Sequence, residues 1–305
     1  MDDKVTISTF QLFQLIPDEE TARTYLESRL WPKGVICAAC KSGERITIRK
    51  GGFYRCNACK LDFTVRTGTI FERSHIPLHK WVYAMYLMMT ARKGISSLQL
   101  SKEIGITQKS AWFMLGRLRE ACGSGDGSLL SGIVEADETY IGGKETNKHA
   151  SKKLRAGRGT VGKTAVLGMR ERGGEVRATV LTDTKAKTIQ AELTDNIAPG
   201  SILCTDEHAA YVGAPGYRHR AVNHSAKQYV DGMAHTNGIE SVWAVLKRGH
   251  YGTFHHFSVK HMQRYVDEFS FRLNEGNVKR QTLARLDSFV DATAGQRLTY
   301  EDLIK

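Results

Sequence analysis

The chain has 305 residues, enough to bury more than one core. Its 44 Lys and Arg exceed its 32 Asp and Glu, a formal charge of +12 that favours an anionic partner and salt-sensitive association with it. The apolar run at 81–89 falls well short of the roughly 20 residues that span a bilayer, and the opening Met-Asp-Asp-Lys lacks a basic stretch followed by an apolar one, so a cytoplasmic protein is expected rather than a membrane-spanning or secreted one.

Pro17, followed by Asp18, Glu19 and Glu20, predicts a helix with acids in its first turn. Ala22, Tyr25, Leu26 and Leu30 share one face, and Trp31-Pro-Lys-Gly34 ends an N-terminal helical segment over 1–30. Cys37-x2-Cys40 and Cys56-x2-Cys59 come next, fifteen residues apart. Two such pairs on short knuckles suit a tetrahedral Zn²⁺ held by four thiolates. Between them, 46–49, the Gly51-Gly52 turn and 53–55 read as a small hairpin, which makes 31–68 a zinc ribbon. A site closed by four cysteines is structural, so zinc here folds the module and performs no chemistry. Cys122 and Cys204 are isolated and read as reduced core thiols.

Residues 75–122 read as a helical domain. The apolar stretch 78–91 is a core helix, and 94–119 has the pattern of a helix-turn-helix. Ser96 or Ser97 caps its first helix, Gly105 supplies the turn and Thr107 caps the second. Gln108, Lys109 and Ser110 then head a recognition helix, with Lys109 as a DNA contact. A helical hairpin packed inside the protein is the alternative for this stretch.

The glycine-rich break at 123–127 precedes a third domain over 128–275. Strands are expected at 132–141, 164–170, 175–181, 201–206 and 217–223, with a helix at 187–197 and two more at 235–248 and 258–274. That order suits an α/β (α+β) class, a mixed sheet flanked by helices. The loop 144–163 carries seven Lys and Arg against one Glu, and Lys152, Lys153, Arg155 and Arg158 are expected to neutralise phosphates. The tail 276–305 is assigned no role.

Three carboxylates stand out. Asp137 lies inside the first strand of this domain and Asp206 closes the run Ser-Ile-Leu-Cys-Thr. Glu240 follows Asp206 after thirty-three intervening residues and opens a helix whose Ile239, Val242, Trp243 and Leu246 form one apolar stripe. Acids on two strands and a helix make sense if they converge on divalent ions such as Mg²⁺, which prefer oxygen ligands. Two such ions about 3.5–4 Å apart serve phosphoryl transfer. Lys247 lies two turns after Glu240 on the same polar face and is placed to meet a phosphate, with Arg248 beside it. Glu135, on the alternating face of Asp137, and Asn237, one turn before Glu240, are alternative ligands, and Glu138 adjoins Asp137. His208, His235, His255 and His256 lie near these motifs and read as structural or phosphate contacts.

Four stretches together resemble a known family: Val134 to Gly143 (Val-Glu-Ala-Asp-Glu-Thr-Tyr-Ile-Gly-Gly), Thr205 to Tyr211, His235 to Glu240, and Lys247 to His256. The chain resembles a bacterial insertion-sequence transposase of the Asp-Asp-Glu class, in the group with an N-terminal zinc ribbon, from roughly Pro17 to Asn274. The resemblance implies an RNase H-like catalytic domain, double-stranded DNA (element ends and target) as partner, and two catalytic Mg²⁺ or Mn²⁺ ions at Asp137, Asp206 and Glu240. It also implies a homo-oligomer on DNA and a nucleoid-associated place in the cytoplasm. Three other readings compete: a zinc-ribbon and helix-turn-helix regulator, which would not need the acids, an RNase H-like metal-dependent nuclease that cuts without joining, and a zinc-stabilised interaction protein, which would show no salt-dependent DNA affinity.

Overall fold

The structure is a computed structural model, described here for residues 6–123, 127–143, 145–154, 159–222 and 235–305, with the side chains of Thr146 and Lys152 left aside. The chain divides into two compact units. The first combines Met1–Ser124 with Glu275–Lys305, and the second is Gly125–Asn274.

The first unit begins with helices α1 (Thr9–Leu15) and α2 (Glu19–Leu30). Asp18 caps α2 by accepting from the Thr21 N–H at 2.8 Å, while Glu19 and Glu20 face the positive end of the helix. A three-stranded antiparallel sheet follows, β1 (Ile46–Ile48), β2 (Tyr54–Cys56) and β3 (Asp62–Phe63). It is too small to bury much, and its core is Tyr54 and Phe63 with the Trp31 indole edge-on to both, beside Cys37 and Cys56.

Helix α3 (Leu78–Thr90) buries Trp81, Met85, Met88 and five other side chains, as a core helix should. Next come α4 (Ser97–Ile104) and α5 (Gln108–Cys122). Ser96, not Ser97, caps α4. Gly105 takes the left-handed conformation between them (φ 63°), and Thr107 caps α5 by accepting from the Ser110 N–H at 3.1 Å.

In the second unit a five-stranded sheet has the order β6-β5-β4-β7-β8. Its strands are β4 (Ile133–Ile141), β5 (Thr164–Glu171), β6 (Val176–Val180), β7 (Ile202–Thr205) and β8 (Arg218–Ala221). β4, β5 and β6 form an antiparallel meander, while β7 and β8 run parallel to β4, giving the mixed sheet of an RNase H-like fold. Helix α6 (Ala186–Asn196) buries Ile189 and Leu193 on one face, in a core with Val134, Ala136, Leu167, Met169 and Leu203. Helices α7 (Asn237–Gly249) and α8 (Met262–Leu273) cover the other face, where Ile239, Val242, Trp243, Leu246, Val266 and Phe269 meet Ile141 and Val166. Alternation along β4 therefore sends Val134 and Ala136 to the α6 side and Glu135 and Asp137 to the α7 side. The end of the strand expected over 217–223 lies, from Asn223, outside the described residues.

The tail then returns to the first unit as α9 (Thr282–Ala292) and α10 (Tyr300–Ile304). Leu286, Phe289 and Val290 are completely buried there. Asp287 accepts from the Tyr25 hydroxyl at 2.6 Å and from Arg29 Nε at 2.7 Å, and the buried Arg117 guanidinium donates to the Leu298 carbonyl at 3.0 Å. Leu303 packs so closely on α5 that a Cβ at Gly116 would come within 2.9 Å of it. None of the described helices is long and apolar enough to cross a membrane.

Candidate metal centres

The four cysteines converge first. Cys37 Sγ lies 3.6 Å from Cys59 Sγ, and Cys40 Sγ lies 3.6 Å from Cys56 Sγ. Four sulfurs about 2.3 Å from a tetrahedral zinc stand about 3.8 Å apart, close to this spacing, whereas a disulfide needs about 2.05 Å. The knuckles form because Lys41 and Lys60, each just after its second cysteine, adopt left-handed backbone (φ 61° and 64°). The Cys59 and Ala58 backbone N–H groups point at Cys56 and pull its thiol down to about 6, toward the thiolate that a metal takes. The donor set fits structural zinc.

The acids converge in the second unit. β7 pairs in parallel with β4 up to Glu135 opposite Cys204; two residues further along stand Asp137, still in β4, and Asp206, just past the end of β7. Asp137 and Glu138 belong to opposite faces of β4, yet one oxygen from each and one from Asp206 lie within 4.8 Å of one another. Burial, then the charge of Asp206, pushes the Asp137 carboxyl up to about 6, against the pull of the Trp243 N–H. Burial also raises Glu138, whose Oε1 has no hydrogen bond although His208 Nδ1 stands 3.4 Å away. Crowded acids whose charges oppose one another are what a divalent cation relieves, so this donor set fits a hard metal ion.

Glu240 comes to the same place from α7. It lines an open cleft of about 440 Å³ together with Asp137, Glu138, Asp206, Trp243 and Lys247. The Thr236 hydroxyl donates to Glu240 Oε1 at 3.1 Å. Two turns along the helix, Lys247 gives the acidic cleft a cationic wall.

Residues 129–274 match the family described as ISXO2-like transposase domain, and residues 17–62 match the transposase zinc-ribbon domain. The second unit thus carries an ISXO2-like transposase domain and the first a transposase zinc ribbon. A protein in transposable element ISH50 of Halobacterium salinarum is 29% identical over 247 residues, covering 75% of this chain and 82% of that protein. A transposase-like protein of Haemophilus influenzae is 26% identical over 109 residues, 35% of this chain and 87% of that one.

Other residues singled out in the sequence sit elsewhere. Glu135 does not line the cleft: it is 1% exposed, 2.8 Å from Arg172 Nε and 3.2 Å from His235 Nδ1, and it accepts from the Ile239 N–H at 3.0 Å. Asn237 is exposed on the first turn of α7 and is also absent from the cleft wall. Arg248 is exposed beside Lys247, and Lys153 is exposed in the basic loop. Lys109 is exposed at the head of α5, its Nζ 4.9 Å from the centre of the Tyr300 ring. The Lys152 side chain, Arg155 and Arg158 lie outside the described residues.

Two features were not singled out by sequence reasoning. Trp243 was counted only as part of an apolar stripe, yet its Nε1 donates to Asp137 Oδ2 at 2.9 Å. Gly168, which pairs with Asp137 across β4 and β5, stands under that indole. A glycine inside a strand is itself a signal of close approach and could have led to the pair.

Proposed function

We propose that this chain is a DNA transposase that binds the ends of an insertion sequence and performs divalent-metal-dependent strand cleavage and strand transfer. The observation that carries the reading is one cleft lined by Asp137, Asp206, Glu240 and Lys247, in a chain that carries a transposase domain. Asp137, Asp206 and Glu240 would hold Mg²⁺ or Mn²⁺, with Glu138 close enough to share in it. When bound, two such ions raise the nucleophilicity of the attacking oxygen and neutralise charge on the leaving one.

The residues themselves bind and orient. Thr236 restrains Glu240, and Lys247 meets a phosphate beside the scissile bond. In the first step water attacks phosphorus and the P–O3′ bond breaks, leaving a 3′-hydroxyl at the element end. That hydroxyl then attacks a target phosphodiester, forming one P–O bond as the target's own 3′-oxygen leaves and takes up a proton. The bond count is unchanged in this second step, so no ATP is needed.

In this reading zinc folds the ribbon over 31–68, and the ribbon and the helix-turn-helix over 75–122 engage the element ends, with Lys109 as a contact. Lys152, Lys153, Arg155, Arg158 and Arg248 add phosphate contacts around the domain over 128–275, and 276–305 completes the first unit. The protein acts as a homo-oligomer on the nucleoid.

The test is strand cleavage and joining on a duplex carrying the flanking element's end, with Mg²⁺ or Mn²⁺. Metal-dependent nicking and joined products, both lost in Asp206→Asn and Glu240→Gln, are expected. Nicking without joined products would make the protein a nuclease, and end binding without any product would make it a regulator.

A further inference from the structure

We infer that Trp243 is a positioning residue for the metal centre: its indole N–H holds one oxygen of Asp137, fixing how the carboxylate faces the cleft, and residue 168 is glycine to admit that indole. This rests on the reading of Asp137 as a metal ligand. Trp243 lies on α7 three residues after Glu240 and is 4% exposed. Its Nε1 donates to Asp137 Oδ2 at 2.9 Å. A donor that binds one carboxylate oxygen selects a rotamer and leaves the other oxygen for a cation, the usual task of a group that orients a metal ligand.

The space for this contact is cut into the neighbouring strand. Asp137 pairs with Gly168 of β5. A Cβ there would stand 2.4 Å from Trp243 Cη2 and 2.7 Å from Ile239 Cδ1, closer than any real contact. The rest of β5 is well supplied with side chains, Val166 and Leu167 among them, so the bare position coincides with the ring that reaches Asp137.

The hydrogen bond also links β4, which carries Asp137, to α7, which carries Glu240. Glu240 sits one turn before Trp243, so the bond that orients Asp137 also fixes how far its strand lies from the Glu240 helix. A tryptophan present only to fill the core would need some partner for its N–H, but not this one. Trp243→Phe separates the two roles, because it keeps an aromatic ring over Gly168 and removes the donor.

The experiment uses the full zinc-loaded chain and Mn²⁺, with free Mn²⁺ followed by electron paramagnetic resonance. Wild type, Trp243→Phe and Asp206→Asn are titrated, with zinc content and the metal-free melting curve recorded for each. The expected result is a loss of Mn²⁺ affinity in Trp243→Phe of roughly 10–100-fold, with zinc content unchanged and the metal-free chain still folded at the titration temperature. Wild-type affinity in Trp243→Phe, alongside a clear loss in Asp206→Asn, would overturn the inference and leave the transposase reading intact. Wild-type binding that Asp206→Asn does not weaken would overturn both.

A second measurement does not depend on the folding of Trp243→Phe. Of the four indole N–H signals in ¹⁵N-tryptophan-labelled protein, one is expected to shift both on adding Mg²⁺ to the wild type and in Asp137→Ala. Four unmoved signals would overturn the inference.

Discussion

Arg172 Nε stands 2.8 Å from Glu135 Oε1, and this ion pair, buried on the Glu135 side and half-buried on the Arg172 side, helps join the sheet to the first turn of the helix that bears Glu240. The other Glu135 oxygen accepts from the Ile239 N–H at 3.0 Å, and Arg172 Nη2 donates to the His235 carbonyl at 2.9 Å. Gly238 lets the helix come this close, since a Cβ there would meet Glu135 Oε2 at 2.5 Å. Removing one partner leaves the other charge buried, so Arg172→Met should destabilise the protein by about 3–5 kcal/mol. Urea unfolding of both single variants and of Glu135→Gln/Arg172→Met checks this. A double variant as costly as the sum of the singles would mean that the two do not act as a pair.

Divalent ions should stabilise the second unit through the acid cluster. At a concentration a hundred times its dissociation constant, an ion that binds only the folded chain adds about 2.7 kcal/mol. Mn²⁺ should therefore raise the thermal midpoint of wild type and leave Asp206→Asn nearly unmoved. Equal shifts in both proteins would place the ion elsewhere.

Removing zinc should unfold the ribbon and little else. Trp31 reports on it, because its ring packs edge-on to Tyr54 at 5.2 Å and to Phe63 at 6.0 Å. A strong chelator, or Cys56→Ser, should release one zinc per chain and shift Trp31 emission to longer wavelength, while the circular dichroism of the second unit stays. An unchanged Trp31 signal in the zinc-free protein would show a ribbon that folds without metal.

His250 should make stability fall on the acid side. It is buried between Tyr251 and Phe257, with ring centres 4.8 and 4.7 Å away, and burial, then the charges of His256 and His255, pull its pKa below the usual value of 6.5. The unfolded chain then binds a proton that the folded chain refuses. Its contribution to stability is present above about pH 6.5 and is lost as pH falls through the lowered folded value. His250→Phe should flatten the decline in urea midpoint between about pH 7 and about pH 5. A decline as steep as that of wild type would assign it to other groups.

Sequence pattern reached the elements of the site well and their partners poorly. β4, expected over 132–141, is Ile133–Ile141, and β7 ends one residue before Asp206 because its apolar, partly β-branched run stops there. Alternation correctly put Glu135 and Asp137 on one face. It could not say that Glu135 would be taken by Arg172, thirty-seven residues away, while Asp137 stayed at the cleft. Periodicity identifies a buried face, but the group waiting there is set by how strands pair and helices dock. For the same reason Trp243 reads as apolar filling, and Glu138 reads only as the neighbour of Asp137, although an oxygen of it reaches the acid cluster from the opposite face of β4. The tail was opaque for a different reason: its apolar residues find their counterparts in helices more than a hundred and fifty residues earlier, such as Leu303 on Gly116.

That return of the tail has a consequence for synthesis. The first unit lacks Leu286, Phe289 and Val290 of its core, and the Asp287 partner of Tyr25 and Arg29, until the ribosome has already made the whole second unit. A nascent or prematurely terminated chain would combine a complete second unit, acid cleft included, with an unfinished first unit. Such a product would present the open core of its first unit to proteases.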